Sequence, residues 1–465
     1  MTISARLADY VASLRYADLP GPSVEIAKSA LLDQLGCQLA GSVLPWTEPA
    51  CRYMMRLGGR AEASIVNQAG RVPAAHAAFV NAVYGQGAEL DDYAAEIGAH
   101  SGSVVLPCAL AMGEREYADG QALLTAIVAG YDVACFLGLL MRRQLHQRGY
   151  HTHAVFSVFS AAAVAGRLLR LPSGQLRHAF GIAGSHASGT MEYDQSGGEV
   201  KRVHSGMAAR DGIESATLAA YGLTGPTAIF EGRRGILRVL AGIDDAQVPL
   251  PPLAAGAGLE RAGFKLYPTT ATQQLPIALL AGLMRDLGIG SSQVRQLDVY
   301  LDQALALHIG GPAEPSQTIE AQFSLPFSLA LRLARGRNDL EDYMAASAWA
   351  DPAVRQAARL VRLHPHAVPQ PTKYACRLVL TLADGRIAER AGHAPKGHPD
   401  DPLTRAEIEE KFARLAGRIL PQPRIAEIIE LVGRLDDLDD IRGLMCLVRL
   451  RAPGQDLPSS SSSSA

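Results

Sequence analysis

The sequence predicts a mainly α protein in which a large helical part is joined to a smaller α+β part. Three observations carry this. Apolar residues recur at helical spacing through most of the first half of the chain,. A high alanine content and 45 glycines suit helices packed close together. Strand-like alternation and an Asp-Gly hairpin signal appear only after about residue 270,. At 465 residues the chain also exceeds what one core usually carries, so two domains are expected,.

Taken in order, Met1 to about Val43 reads as helical. The segment VEIAKSALLDQLGCQLAGS has helical apolar spacing, with Pro20 and Gly21-Pro22 punctuating the chain before it,. Residues 103 to 145 read as two long helices broken at Glu116–Gly120. Gly149-Tyr150-His151 then opens a further apolar helix. A Gly/Ser-rich loop ends in Lys201-Arg202-Val203-His204, and a small-residue helix follows from Gly206. Residues 241 to 260 are rich in Pro, Ala and Gly and read as a linker,. QVRQLDVYLDQAL reads as a strand, and ACRLVLTLADGRIAERA as a hairpin turning at Asp384-Gly385,. IAEIIELVGRLDDLDDIRGLMCLV reads as a final closing helix, and the six-serine tail as disordered,.

Composition excludes several functions. A net charge of −2 argues against nucleic acid as a partner, because phosphate binding needs a strong basic excess,. The most apolar window, residues 122 to 141, is interrupted by Gly130 and Asp132 and reads as a buried helix, so no membrane partner is expected,. The N-terminus lacks the pattern of a signal peptide,. Six cysteines without a CxxC pair suit free buried thiols in a cytoplasmic protein,. Neither a phosphate-binding Walker loop nor a strand-linked GxGxxG is present, which argues against nucleotide use,.

The chemistry concentrates between Asn81 and Pro107. Glu89, Asp91, Asp92 and Tyr93 fall within five positions, and His100 follows between two apolar segments. Acids brought to a His inside a core are costly unless they serve a function. As a helix, Glu89, Asp92 and Tyr93 would share one face; the bland alternative is that Asp-Asp caps a helix. His151 sits at the start of a buried helix, whose positive end favours the neutral ring and attracts anions. Lys201 and Arg202, on a glycine-flexed loop, suit a carboxylate clamp,. His151 and His153 could hold a metal only with a third ligand, which the spacing does not supply.

These segments resemble the MmgE/PrpD family, whose members include 2-methylcitrate dehydratase, cis-aconitate decarboxylase and iminodisuccinate epimerase. Asn81, Asp91, Asp92 and His100 match its signature, and His151 its G-[FY]-H-P-T motif. Lys201, Arg202, Gly206, Ala208, Ala209 and Gly212 match K-R-x-x-x-G-x-A-A-x-x-G, and Lys265, Tyr267 and Pro268 match K-P-Y-P. Glu89 stands where Asp is usual, Gln274 where His is usual, and Phe327 where Tyr is usual, all at positions taken to lie in the pocket. The resemblance implies a homodimer with an all-helical domain (residues 1–265 and 397–455), an α+β lid (266–396), a tail at 456–465, and a cofactor-free, metal-free site between body and lid.

On this reading the catalytic residues are His100, His151, Lys201, Lys265 and Glu89. Asp92, Tyr93, Arg202, His204 and Gln274 bind substrate. Two imidazoles can trade a proton and two ammonium groups can hold carboxylates and stabilise developing charge. The expected reaction is proton abstraction next to a carboxylate of a small di- or tricarboxylate, with loss of water as its leading outcome. Epimerisation, decarboxylation, or an inactive homologue that only binds an acidic metabolite are the alternatives.

Overall fold

The computed structural model describes residues 1–244, 249–366 and 374–450. It is mainly α, with a small four-stranded mixed sheet and a two-stranded antiparallel ribbon (Ala63–Ser64 with Arg71–Val72) among the described residues. The largest hydrophobic cluster draws its residues from Ile3–Phe264 and Ile408–Val448. A second cluster draws almost entirely on Leu275–Leu382, with Tyr93 as its one contribution from the N-terminal half. The predicted helices are present: Ile3–Ser13 and Gly21–Gly41, then Gly102–Glu116 and Gly120–Gln147 separated at Tyr117–Asp119, then Thr152–Leu168. The closing segment is not one helix. It runs as Gln422–Gly433, a 3-10 turn at Leu435–Asp437, and Arg442–Val448. Gly433 and the acids after it end the first piece, and Asp440 accepts from Arg442 N to start the last,. The serine tail and residues 245–248 of the expected linker lie outside the described residues.

Close helix approach positions the site. The helix Val200–Ala220 packs between Thr152–Leu168 and Ala74–Gly87. A Cβ on Gly212 would stand 2.4 Å from Ala161 Cβ, and one on Gly206 would stand 2.8 Å from Phe79 O. Only glycine lets the backbones come so near. This contact sets the start of Val200–Ala220 beside the chain leaving Ala74–Gly87 and beside the start of Thr152–Leu168. The helix begins at Val200, earlier than the sequence suggested, so Lys201 and Arg202 lie in its first turn and not on a loop. Cations at a helix N-terminus oppose its dipole, and here acids offset them: Glu89 pairs with Lys201, and Glu199 with Arg202.

The most apolar helix, Gly120–Gln147, has 94% of its most apolar window buried within the protein. Asp132 in its middle accepts from Tyr10 Oη (2.6 Å), Gly256 N (3.0 Å) and Gly258 N (2.8 Å). Burial nevertheless pushes its carboxyl up to about 6,. Asp33 is buried and pairs with Lys411, whose Nζ also donates to Leu90 O at 2.8 Å. Five of the six cysteines are buried, and Cys446 is exposed.

The sheet has the order Val361–His366, Val294–Asp302, Cys376–Leu382, Ile387–Gly392. The first pair is parallel and the others antiparallel. The predicted hairpin turns at Asp384-Gly385, with Gly385 at φ +88°,. The parallel edge strand was not foreseen, because RLHPH lacks alternation and contains Pro365, which suits an edge,.

Candidate active site

The acidic stretch is not helical. Glu89 has φ +56°, and Tyr93 and Ala94 pair only through isolated bridges to Gly263 and Ala99. The turn therefore aims successive acids in different directions. Glu89 and Asp91, both buried, face two lysines brought from far along the chain. Lys201 pairs with Glu89 Oε1. Lys265, completely buried, reaches Asp91 Oδ1 at 3.0 Å and Glu89 Oε2 at 3.5 Å. Burial alone would raise both carboxyls, but Lys201 and Lys265 hold Glu89 down, and Lys265 with His100 holds Asp91 far below the usual range,. The acids also raise Lys265 against its own burial. Two ammonium groups thus face two carboxylates, with no net charge among the four.

His100 Nδ1 lies 3.0 Å from Asp91 Oδ2 and 2.9 Å from Asp92 O. Both partners are acceptors, so the proton sits on Nδ1 and Nε2 is the ring atom left to exchange a proton. His153 is wholly buried. Its Nδ1 accepts from His100 N (3.3 Å) and Ser157 Oγ (2.9 Å). Its Nε2 therefore donates to Ser205 Oγ (2.9 Å), which donates to Gln86 Oε1 (2.7 Å). His153 is a buried strut between His100 and the Val200–Ala220 helix. His151 precedes Thr152–Leu168 as predicted, and its Nδ1 lies 2.9 Å from His204 Nδ1. Burial, then the neighbouring His153, His204 and Lys201, keep His151 well below its usual basicity,. Among the described residues no group of three or more His, Cys, Asp or Glu has a geometry suited to a metal ion.

One cavity of about 240 Å³ lies among these groups. Glu89, Tyr93, His100, His151, Lys201 and Lys265 contribute to its wall, together with Thr270, Thr272, His308 and Phe323 from later in the chain. Four of the residues expected to bind substrate are not in that wall. Asp92 turns to the helix Gly102–Glu116, accepting from Gly102 N (2.9 Å) and Tyr131 Oη (2.9 Å); no helix starts at Asp91-Asp92 itself. Arg202 is buried against the Trp46 ring (4.7 Å) and donates to Gly87 O (3.2 Å) and Gln322 Oε1 (3.0 Å). Gln274 ties together its own loop, accepting from Leu266 N and Tyr267 N and donating to Tyr267 O. His204 lies behind His151. Tyr93 does line the cavity, and its buried hydroxyl has no partner among the described residues.

Of the three family departures, only Glu89 reaches the cavity. Phe327 is buried against Tyr343 (5.9 Å), away from the site, so its lost hydroxyl is not missing from the cavity. A helical spacing directs attention to Glu89, Asp92 and Tyr93 and passes over Asp91, which the turn brings to Lys265 and His100. Tyr193, Thr270, Thr272 and His308 carried no signal; apposition of distant segments alone brings them in.

Residues 5–249 match the MmgE/PrpD N-terminal domain, and residues 267–437 match the MmgE/PrpD C-terminal domain. The chain belongs to the MmgE/PrpD family. As a member of that family it is an enzyme. Among its MmgE/PrpD relatives, the cis-aconitate decarboxylase-like protein oryM of Aspergillus oryzae is 28% identical, covering 96% of this chain and 97% of its own. The cis-aconitate decarboxylase of Aspergillus terreus is 28% identical, covering 96% of each chain. That of Homo sapiens is 25% identical, covering 97% of this chain and 95% of its own.

Proposed function

We propose that this protein decarboxylates cis-aconitate or a closely similar unsaturated tricarboxylate. The observation that carries the reading is the meeting of His100, His151, Lys201 and Lys265 around a cavity of about 240 Å³, small enough to select a compact polycarboxylate,. The choice of reaction rests on the relatives, which align over nearly the whole chain and are named for decarboxylation. It replaces the loss of water expected from the sequence with loss of carbon dioxide.

In this reaction a carboxylate two bonds from a carbon–carbon double bond leaves as carbon dioxide. Its bonding pair forms a new double bond, and the old double bond's pair becomes a carbanion next to a second carboxylate. One proton then adds there, giving an unsaturated dicarboxylate. Lys201 and Lys265 hold the retained carboxylates and stabilise the charge as it develops. His151 Nε2 supplies the proton, and His100, oriented by Asp91, fixes the substrate's other face. The lid role of residues 266–396 belongs to the same proposal, because Thr270, Thr272, His308 and Phe323 would close over the bound acid. Pure protein incubated with cis-aconitate in D₂O tests this. Carbon dioxide and a singly deuterated unsaturated dicarboxylate are expected; a hydrated product, or no turnover, refutes the decarboxylase reading.

A further inference from the structure

We propose that His204 is a positioning residue that relays a proton from solvent through His151 to the substrate carbon. The inference rests on the decarboxylase reading for its substrate, and on the His151–His204 contact for its geometry.

The two Nδ1 atoms are 2.9 Å apart, with ring centroids 5.1 Å apart. A hydrogen bond between two ring nitrogens holds one proton, so one ring donates and the other accepts. Burial, reinforced at His151 by the neighbouring rings and Lys201 and at His204 by Lys201, holds both imidazoles below their usual basicity, so each is neutral with one proton. The donor ring then has a bare Nε2, and the acceptor ring carries its proton on Nε2. Two arrangements follow. In one, His151 presents N–H to the cavity and is an acid; in the other it presents a lone pair and is a base. His204 decides which.

The positions of the rings suit a relay. His151 lines the cavity and His204 does not. Neither Nε2 has a hydrogen-bond partner within the described protein, so the outer nitrogens are the pair's two ports. Tyr193 covers both rings edge-on, with centroids 5.4 Å from His151 and 6.0 Å from His204. The same Tyr193 lines a second cavity of about 380 Å³ beside the first.

The proton count balances. A water proton enters at His204 Nε2, the His204 Nδ1 proton passes to His151 Nδ1, and the His151 Nε2 proton goes to carbon. The pair released by the breaking C–CO₂ bond ends, through the double-bond shift, in the new C–H bond. Both rings finish neutral in the opposite arrangement, and the reverse transfer from water in the emptied cavity resets them. Without His204, donating from His151 Nε2 would leave an imidazolate.

His204→Ala tests the relay with added azoles. The variant is expected to lose about 10²-fold in kcat, the usual worth of a positioned acid, with KM within about twofold and an unchanged far-UV spectrum. Imidazole, which has two exchangeable nitrogens, restores the rate, whereas 1-methylimidazole, which cannot pass a proton across its ring, does not. Wild-type kcat in the variant, or equal rescue by both azoles, overturns the relay. Nitrogen-15 spectra of the wild-type protein test the pair alone: one Nδ1–H ring and one Nε2–H ring are expected, and two Nε2–H rings overturn it. If the wild type is inert towards cis-aconitate, the decarboxylase reading fails and the nitrogen spectra alone decide the pair.

Discussion

Asp91 Oδ1 lies 3.0 Å from Lys265 Nζ, and Asp91 Oδ2 lies 3.0 Å from His100 Nδ1. One fully buried carboxylate thus joins a buried cation to a ring that lines the same cavity. Asp91→Asn keeps the shape but removes the charge. His100 then loses the charged one of its two Nδ1 acceptors, keeping Asp92 O, and Lys265 retains only Glu89 as a charged partner. Turnover is expected to fall by about 10²-fold or more. Breaking a buried pair on one side also costs about 3 kcal/mol of stability. Steady-state rates and thermal melts check both; a variant with wild-type kcat would show that His100 needs no such orientation.

Lys201→Ala and His151→Ala are each expected to abolish measurable turnover while the helices persist. Lys201 lies in the first turn of its helix, and its loss leaves Glu89 with Lys265 at 3.5 Å, so the acid is not stranded. Circular dichroism and activity on the same samples separate catalysis from folding. A variant that turns over at the wild-type rate removes that residue from the mechanism.

Asp92 should make folding depend on pH in the opposite way from an ordinary paired acid. Burial first, and then Asp91, push its carboxyl up to about 7, from 3.8 in an ordinary carboxyl. The folded protein therefore binds more protons than the unfolded chain between those values. Its contribution is fully present below pH 4 and is lost as pH rises through 7. Asp92→Asn, still able to accept from Gly102 N, should be more stable than wild type at pH 8 by about 4 kcal/mol, with the gap closing towards pH 4. A gap that does not change with pH would mean Asp92 stays ionised throughout.

The sequence by itself determined the helical character and the hairpin at Asp384-Gly385, and it singled out four basic side chains that line one cavity. Each of these is local: apolar spacing, turn residues and short motifs act within one or two turns of chain. It also placed His151 at a helix start, because Gly149 and the apolar run after Thr152 mark that boundary. Only the tertiary structure decided that Asp91, not Asp92, faces the lysines. The left-handed turn at Glu89 sets those directions, and no periodicity encodes it. Likewise, Arg202, Gln274 and Phe327 share motifs with reactive residues yet point into packing, since neighbours in sequence face opposite ways once a helix or loop is buried. His204 meets His151 because Gly212 lets the helices Val200–Ala220 and Thr152–Leu168 touch, a contact between residues 53 apart that no stretch of chain contains.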